Sequence, residues 1–182
     1  KKRLAEILPF QLTSAQQRVI SEIESDMFSE YRMLRLLQGD VGSGKTIVAL
    51  YTMLNAVECG AQAAIMAPTE ILAQQHYETI AELCSQIGVK TALLTGNIKG
   101  KSRQQILDAL QNGEIDILIG THALFTEDVT FKDLAYAVVD EQHRFGVKQR
   151  LSLSQKGKSC DVLVMTATPI PRTLVLTQFG DM

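Results

Sequence analysis

The sequence lacks an apolar run long enough to cross a membrane. None of its apolar stretches approaches the roughly 18 residues that a spanning helix needs. The first residues, Lys1, Lys2 and Arg3, are not followed by the long apolar segment of a secretory signal. Cysteine is also scarce, and the three present have neither an even number nor zinc-finger spacing. We therefore expect a protein of the reducing cytoplasm, with no membrane partner.

Positive charge is not in excess either. The chain carries 18 Lys and Arg against 20 Asp and Glu, so its formal net charge is −2. A protein that binds nucleic acid mainly by neutralising phosphates is usually strongly basic. Net charge alone therefore gives no reason to expect DNA binding.

What is present indicates one globular domain. The chain has 182 residues, of which 46% are apolar and 21% charged, and it shows no internal repeat or low-complexity segment. It begins without Met and ends at Gly180, Asp181 and Met182. We expect residues 1–182 to be a single domain taken from a longer protein.

Six short apolar runs alternate with longer amphipathic stretches, which is the pattern of a mainly parallel sheet. The strands are predicted at residues 33–38, 63–67, 91–95, 115–120, 136–140 and 162–166. Two of the intervening segments carry apolar side chains at helical spacing. The sequence predicts an α/β fold, with helices on both faces of the sheet and ligands beyond the carboxyl ends of the strands.

A phosphate-binding loop follows the first strand. Residues 39–46 match G-x-x-x-x-G-K-[ST] and lead into a helix: they are Gly39, Asp40, Val41, Gly42, Ser43, Gly44, Lys45 and Thr46. The glycines let backbone N–H groups and the helix N-terminus face a phosphate. Lys45 is expected to reach the β- and γ-phosphates and Thr46 to bind Mg²⁺. A glycine-rich turn without a ligand is the alternative.

Two carboxylates at the end of the fifth strand supply the other half of a nucleotide site. Asp140 is expected to hold Mg²⁺ through its water shell, and Glu141 to orient and deprotonate the attacking water. Alone, an acidic turn after a buried strand would be an equally good interpretation. Beside the phosphate-binding loop, the pair predicts phosphoryl transfer from a nucleoside triphosphate to water or to an acceptor.

The residues around these carboxylates resemble helicase superfamily 2. That superfamily reads D-E-x-H and, one strand later, S/T-A-T; here residues 140–143 read D-E-Q-H and residues 166–168 read T-A-T. The resemblance implies a RecA-like domain in which Gln142 and His143 contact the γ-phosphate, so that its hydrolysis leads to movement of a second domain. The expected coupling residues are Thr166 and Thr168.

An adenine-binding motif is implied upstream. Residues 10–16 resemble the Q-motif of these helicases, which assigns recognition of ATP to Phe10 and Gln16. Thr13 and Gln16 also fit a capping box at the start of a helix. The two interpretations are compatible.

Three strand-end segments resemble the nucleic-acid motifs of the superfamily. Such loops hold one strand by its phosphates, for which hydroxyls, backbone N–H groups and helix N-termini suffice. The residues implied are Thr69, Thr95, Gly96, Thr121 and His122. For the threonines, ordinary helix caps and turns are the alternative.

Basic residues form two clusters, at residues 99–103 and 144–158. A solvated basic face is the common meaning of such clusters. We expect the second cluster to approach DNA or a neighbouring lobe, because it directly follows the acidic box. Its residues nearest to that box are Arg144, Lys148 and Arg150.

Longer matches narrow the resemblance to the RecG family of bacterial ATP-dependent DNA helicases. Residues 39–46, 140–147 and 166–173 are similar to RecG sequences, whereas the Mfd family usually has Phe in place of Ser43 and Glu in place of Gln142. The resemblance implies ATP- and Mg²⁺-dependent remodelling of branched DNA and stalled replication forks. An Mfd-like translocase lobe and a non-motor P-loop module or kinase are the alternatives.

The RecG resemblance also implies that this chain is one lobe of a motor. RecG helicases have a wedge domain before this region and a second motor domain after it, and the 182 residues contain neither. The second lobe supplies an arginine finger, which can contribute about 10³ or more in rate. We expect the chain alone to bind ATP weakly, to hydrolyse it slowly and to unwind nothing.

Overall fold

The computed structural model describes residues 12–27, 34–38, 45–126, 128–140 and 160–166. Within these ranges lie four α-helices, six strands and one short 3₁₀ helix. The helices are α1 (Ser14–Met27), α2 (Lys45–Glu58), α3 (Glu70–Ser85) and α4 (Gly100–Gln111), and the 3₁₀ helix is His122–Phe125. The strands are β1 (Leu34–Gln38), β2 (Gln62–Met66), β3 (Thr91–Leu94), β4 (Ile117–Gly120), β5 (Leu134–Asp140) and β6 (Asp161–Thr166).

The six strands form one parallel sheet in the order β1-β6-β5-β2-β4-β3. Each strand lies within two residues of its predicted position. Because all the pairings are parallel, the carboxyl ends of the strands meet at one edge. The predicted parallel sheet is confirmed.

Both faces of the sheet are covered. Alternate side chains of a strand point to opposite faces, and Ile65 of β2 packs in a core with α1, α2 and α3. Its neighbour Ala64 packs in a second core that contains Leu107 and Leu110 of α4. A parallel sheet is buried on both sides by its crossover helices, which explains the nearly continuous apolar strands. The predicted helices on both faces are confirmed.

Buried polar contacts stabilise the edge of the sheet at which the strands begin. Gln62, 4% exposed, donates through Nε2 to the carbonyls of Leu110 (2.9 Å) and Ile115 (2.8 Å) and accepts from the backbone N–H of Asp133 (2.9 Å). Every polar atom of this amide therefore has a partner, which offsets the cost of burying it. The contact ties β2 to the segments that precede β4 and β5.

The described part of the chain contains no helix that is both long and apolar enough to span a membrane. The three cysteines are free; Cys59 is exposed, whereas Cys84 and Cys160 are buried.

Candidate nucleotide and nucleic-acid site

The carboxyl edge of the sheet divides into two halves. Strands β1, β6 and β5 are neighbours, and the residues that follow or end them are those predicted to bind nucleotide. Strands β2, β4 and β3 are the other neighbours, and they lead into the segments predicted to bind nucleic acid. We call these the nucleotide half and the nucleic-acid half. The division depends on the order of strands in the sheet, which differs from their order in the chain.

The nucleotide half aligns the ends of three strands. Gln38 of β1 is paired with Thr166 of β6, and Met165 lies opposite Asp140 of β5. Neighbouring strands are about 4.8 Å apart, so β1 and β5 are separated by about 10 Å. Lys45 and Thr46, both half-buried, are the first residues of α2. The end of β1, which the phosphate-binding motif follows in the sequence, and Asp140, the first residue of the acidic motif, therefore lie on the same part of the sheet edge.

Several predicted nucleotide-site residues lie outside the described residues. They are Phe10, Gly39, Asp40, Val41, Gly42, Ser43, Gly44, Glu141, Gln142, His143 and Thr168. Thr166 is described as part of a strand, but its side chain is not. The roles assigned to all of these residues stay predictions.

Gln16 occupies the capping position that its sequence context predicts. The side-chain oxygen of Gln16 accepts from the backbone N–H of Thr13 (2.9 Å), and Thr13 Oγ1 accepts from the backbone N–H of Gln16 (3.1 Å). This reciprocal pair is a capping box at the N-terminus of α1. The capping interpretation is confirmed, and the adenine-binding role of Gln16 stays a prediction.

Asp140 is held by a histidine that sequence reasoning did not single out. The carboxylate of Asp140 is buried, and its Oδ2 lies 2.8 Å from Nε2 of His76. Each side chain is 12% exposed. Because a carboxylate oxygen accepts, Nε2 of His76 donates. The two residues are 64 positions apart. In the sequence, His76 lies seven residues after Thr69, in one of the three segments that resemble nucleic-acid motifs.

The nucleic-acid half has an exposed layer and a buried layer. Thr69, Gly96 and His122 are exposed, whereas Thr95 and Thr121 are 6% and 9% exposed. Exposed side chains and exposed backbone N–H groups can reach a phosphate directly. Nucleic-acid contact is therefore expected more of Thr69, Gly96 and His122 than of the two buried threonines.

Thr69 is also the N-cap of α3. Its Oγ1 accepts from the backbone N–H of Leu72 (3.2 Å), so the capping alternative considered for this residue is confirmed. The next residue, Glu70, accepts a hydrogen bond from Nδ2 of Asn97, which joins the start of α3 to the loop after β3. Ile71 beside them is 73% exposed. The exposed ends of these two loops thus form one continuous surface.

The first basic cluster does not present all of its charges to solvent. Lys99 and Lys101 are exposed at the start of α4. Arg103 instead forms an ion pair with Asp128 (2.9 Å) and donates to Thr126 Oγ1 (3.4 Å). Two of the three cations are therefore accessible for phosphate contacts. Arg144, Lys148 and Arg150 of the other cluster lie outside the described residues.

Close relatives share the sequence along nearly the whole chain. An ATP-dependent DNA helicase RecG from Bacillus subtilis (strain 168) is 57% identical over 180 residues, which is 99% of this chain and 26% of the relative. The protein of the same name from Thermotoga maritima is 54% identical over 96% of this chain and 22% of its own length. The chain therefore spans about a quarter of the curated relatives it matches.

Solved structures share the fold. A structure of RecG bound to a three-way DNA junction superposes with a TM-score of 0.84 and 50% identity, and covers 96% of this chain and 23% of that chain. The crystal structure of MrfA, a DUF1998 helicase, superposes with a TM-score of 0.72 at 18% identity over 96% of this chain and 30% of its own, a likeness of fold alone. A sequence profile of the DEAD/DEAH box helicases matches residues 13–176. The chain therefore belongs to the DEAD/DEAH box helicase family.

Proposed function

We propose that this chain is the ATP-binding motor lobe of an ATP-dependent DNA helicase that remodels branched DNA and stalled replication forks. One observation carries the proposal: the strands that lead into the predicted nucleotide residues and the strands that lead into the predicted nucleic-acid loops are neighbours in one parallel sheet. The names of the relatives support the choice of DNA, and the three-way junction bound by one of them supports a branched substrate.

The described residues of the nucleotide half suit ATP with Mg²⁺. Magnesium prefers oxygen ligands and keeps several of its waters, and the half offers the carboxylate of Asp140 and the hydroxyl of Thr46. Since Oδ2 of Asp140 takes the hydrogen bond from His76, we assign Oδ1 to the water shell of the ion. When bound, the ion would supply positive charge that offsets the negative charge developing on the transferred phosphate. Lys45 would hold the terminal phosphates and Gln16 the adenine.

The nucleic-acid half would hold one DNA strand by its backbone. Thr69, Gly96 and His122 are exposed there, and Lys99 and Lys101 add positive charge close to the loop after β3. Thr95 and Thr121 are buried, so we assign their contribution to the shape of the loops and to backbone N–H groups.

The remaining parts of the motor belong to a longer chain. Because this chain covers about a quarter of its relatives, we infer a wedge domain and a second RecA-like domain as partners in the same polypeptide. We place the whole protein in the cytoplasm, where its free thiols would stay reduced.

The decisive experiment compares ATP hydrolysis by the natural full-length protein with three-way junction DNA, with linear duplex of equal length and with no DNA. We expect the junction to stimulate most, and Lys45→Ala to remove the stimulated activity. Phosphorylation of a small acceptor without any DNA effect would instead identify a kinase. Dependence of DNA translocation on RNA polymerase would identify an Mfd-like translocase.

The 182-residue chain offers a second test. In the chain alone, a bound nucleotide would have no contacts from the second lobe and its arginine finger. We therefore expect the purified chain not to separate the strands of a forked duplex. Measurable unwinding by this chain alone would show that it is not half of a two-lobe motor.

A further inference from the structure

The hydrogen bond between His76 and Asp140 joins the two halves of the site edge. Asp140 ends β5 in the nucleotide half. His76 belongs to α3, the helix that follows β2 and starts in the nucleic-acid half. The Nε2 to Oδ2 distance is 2.8 Å, and both side chains are 12% exposed. The proposed function takes this hydrogen bond into account but gives His76 no role of its own.

We propose that His76 is a positioning residue that fixes the magnesium-binding carboxylate of Asp140, and that α3 thereby couples the nucleic-acid half to metal and nucleotide binding. The inference rests on the proposed function, because it takes Asp140 as the residue that holds Mg²⁺. It adds a residue, and a route between two sites, to that function.

The positioning role follows from the chemistry of the pair. A carboxylate at the end of an aspartate side chain rotates broadly about its last torsion. A donor on Oδ2 restricts this rotation and leaves Oδ1 pointing in a defined direction. Residues that hold a ligating carboxylate typically change metal affinity or activity by 10–100-fold when they are removed. Because the pair is largely shielded from water, its hydrogen bond is little weakened by solvent.

Helix α3 is a suitable connecting element. Its first turn is capped by Thr69, and Glu70 is joined to Asn97 in the loop after β3. His76 lies seven residues beyond Thr69, which is about 10 Å along a helix. The buried residues Ala73 and Ile80 anchor the helix on either side of His76. A displacement of the helix start by a bound DNA backbone would therefore move the donor that holds Asp140.

The test uses the natural full-length protein and two variants of similar size. His76→Leu removes the donor, whereas His76→Gln keeps an N–H group at a similar reach. The exposed neighbour Gln75→Ala, on the same helix, is the matched control. The first measurement is the Mg²⁺ concentration that half-saturates binding of a fluorescent ATP analogue, a quantity that needs no turnover.

We expect His76→Leu to raise the half-saturating Mg²⁺ concentration about 10-fold. His76→Gln should stay within about threefold of the parent protein, and Gln75→Ala should not change it. Equal shifts in His76→Leu and His76→Gln, or no shift in His76→Leu, would overturn the positioning role. If His76→Leu does not fold, His76→Asn replaces it, since the shorter amide cannot reach Asp140.

The coupling has its own measurement. Three-way junction DNA should change the half-saturating Mg²⁺ concentration in the parent protein and in His76→Gln, and this change should disappear in His76→Leu. A DNA effect of the same size in all three proteins, or none in the parent, would overturn the coupling. Failure of the proposed function is a different result, because the parent protein would then show no DNA-stimulated hydrolysis while Mg²⁺ binding still reports on His76.

Discussion

The two halves of the site edge are served by helices of different character. In α2, which opens the nucleotide half, ten consecutive residues from Ile47 to Ala56 are buried. In α3, which starts in the nucleic-acid half, only Ala73, Ile80 and Cys84 are buried within the described sixteen residues. A helix that is apolar all round is locked in the core, whereas a one-sided helix lies on the surface. The start of α2 is therefore held by the buried centre of the fold, whereas the start of α3 lies at its surface.

The halves also differ in how residue type relates to role. In the nucleotide half, Lys45 lies at the start of α2, where a positive charge is unfavourable to the helix dipole and does little for folding. In the nucleic-acid half, Thr69 caps a helix while it is exposed to solvent, so one side chain serves structure and is available for contact. Substitutions should therefore separate function from folding more cleanly in the first half than in the second.

The largest expected effect tests whether the nucleotide half acts independently. Lys45→Ala in the full-length protein should lower kcat for ATP about 10²–10³-fold, because a donor to the developing phosphate charge is lost. DNA affinity, measured by fluorescence anisotropy without nucleotide, should stay within about threefold. Lys90→Ala, an exposed lysine at the opposite edge of the sheet, is the control. If Lys45→Ala lowered DNA affinity as much as kcat, the nucleotide half and the nucleic-acid half would not act independently.

The second prediction concerns packing beneath the nucleic-acid half. A Cβ at Gly120 would overlap the carbonyl oxygen of Leu94 on the paired strand, a backbone atom that cannot move away alone. Gly120→Ala should lower the free energy of unfolding by about 3 kcal/mol, measured by urea titration. Gly96→Ala in the same half meets only Glu70, at 3.6 Å, and should cost less than about 0.5 kcal/mol. Equal costs would show that β3 and β4 can separate freely.

The third prediction concerns the pH dependence of the free energy of unfolding, through the buried thiol of Cys84 in α3. Burial, with a smaller contribution from the charge of Asp116, raises the pKa of Cys84 to about 12. The unfolded chain releases this proton first, so stability is complete below about pH 9 and declines as pH rises toward 12. At pH 10 the loss should be on the order of 1 kcal/mol. Cys84→Ala should remove this part of the alkaline slope, whereas Cys59→Ala, which changes an exposed thiol, should retain it.

The smallest expected effect lies at the capping box of α1, the helix that packs on α2. Thr13→Ala removes the oxygen that accepts from the N–H of Gln16 and should cost about 1 kcal/mol in thermal unfolding. Thr13→Ser should restore most of it. If ATP affinity falls together with stability in the alanine variant, the capping box also supports the nucleotide half. If affinity is unchanged, Gln16 holds its position without that cap.

Much of the fold was predictable because the signals were local. Six apolar runs bounded by polar residues predicted six strands to within two residues. The capping box at Thr13 and the N-cap at Thr69 are also local, because each threonine accepts from a backbone N–H three residues away. Residues 39–46 predict a phosphate site because their motif needs an unusual set of residues, and that assignment stays a prediction. The burial of the strand-end threonines was not predictable. Thr69 and Thr95 both lie at or just after the end of a predicted strand, yet Thr69 is exposed and Thr95 is buried.

The sequence by itself determined the elements, their parallel arrangement and the residue types at the strand ends, because hydrophobic periodicity and turn chemistry act over a few residues. Only the tertiary structure decided that β1, β6 and β5 lie side by side and that His76 reaches Asp140 across 64 positions. The physical reason is that strand order and long-range contacts depend on how crossover helices pack on a sheet. That packing is a property of the assembled core, and no short stretch of sequence contains it.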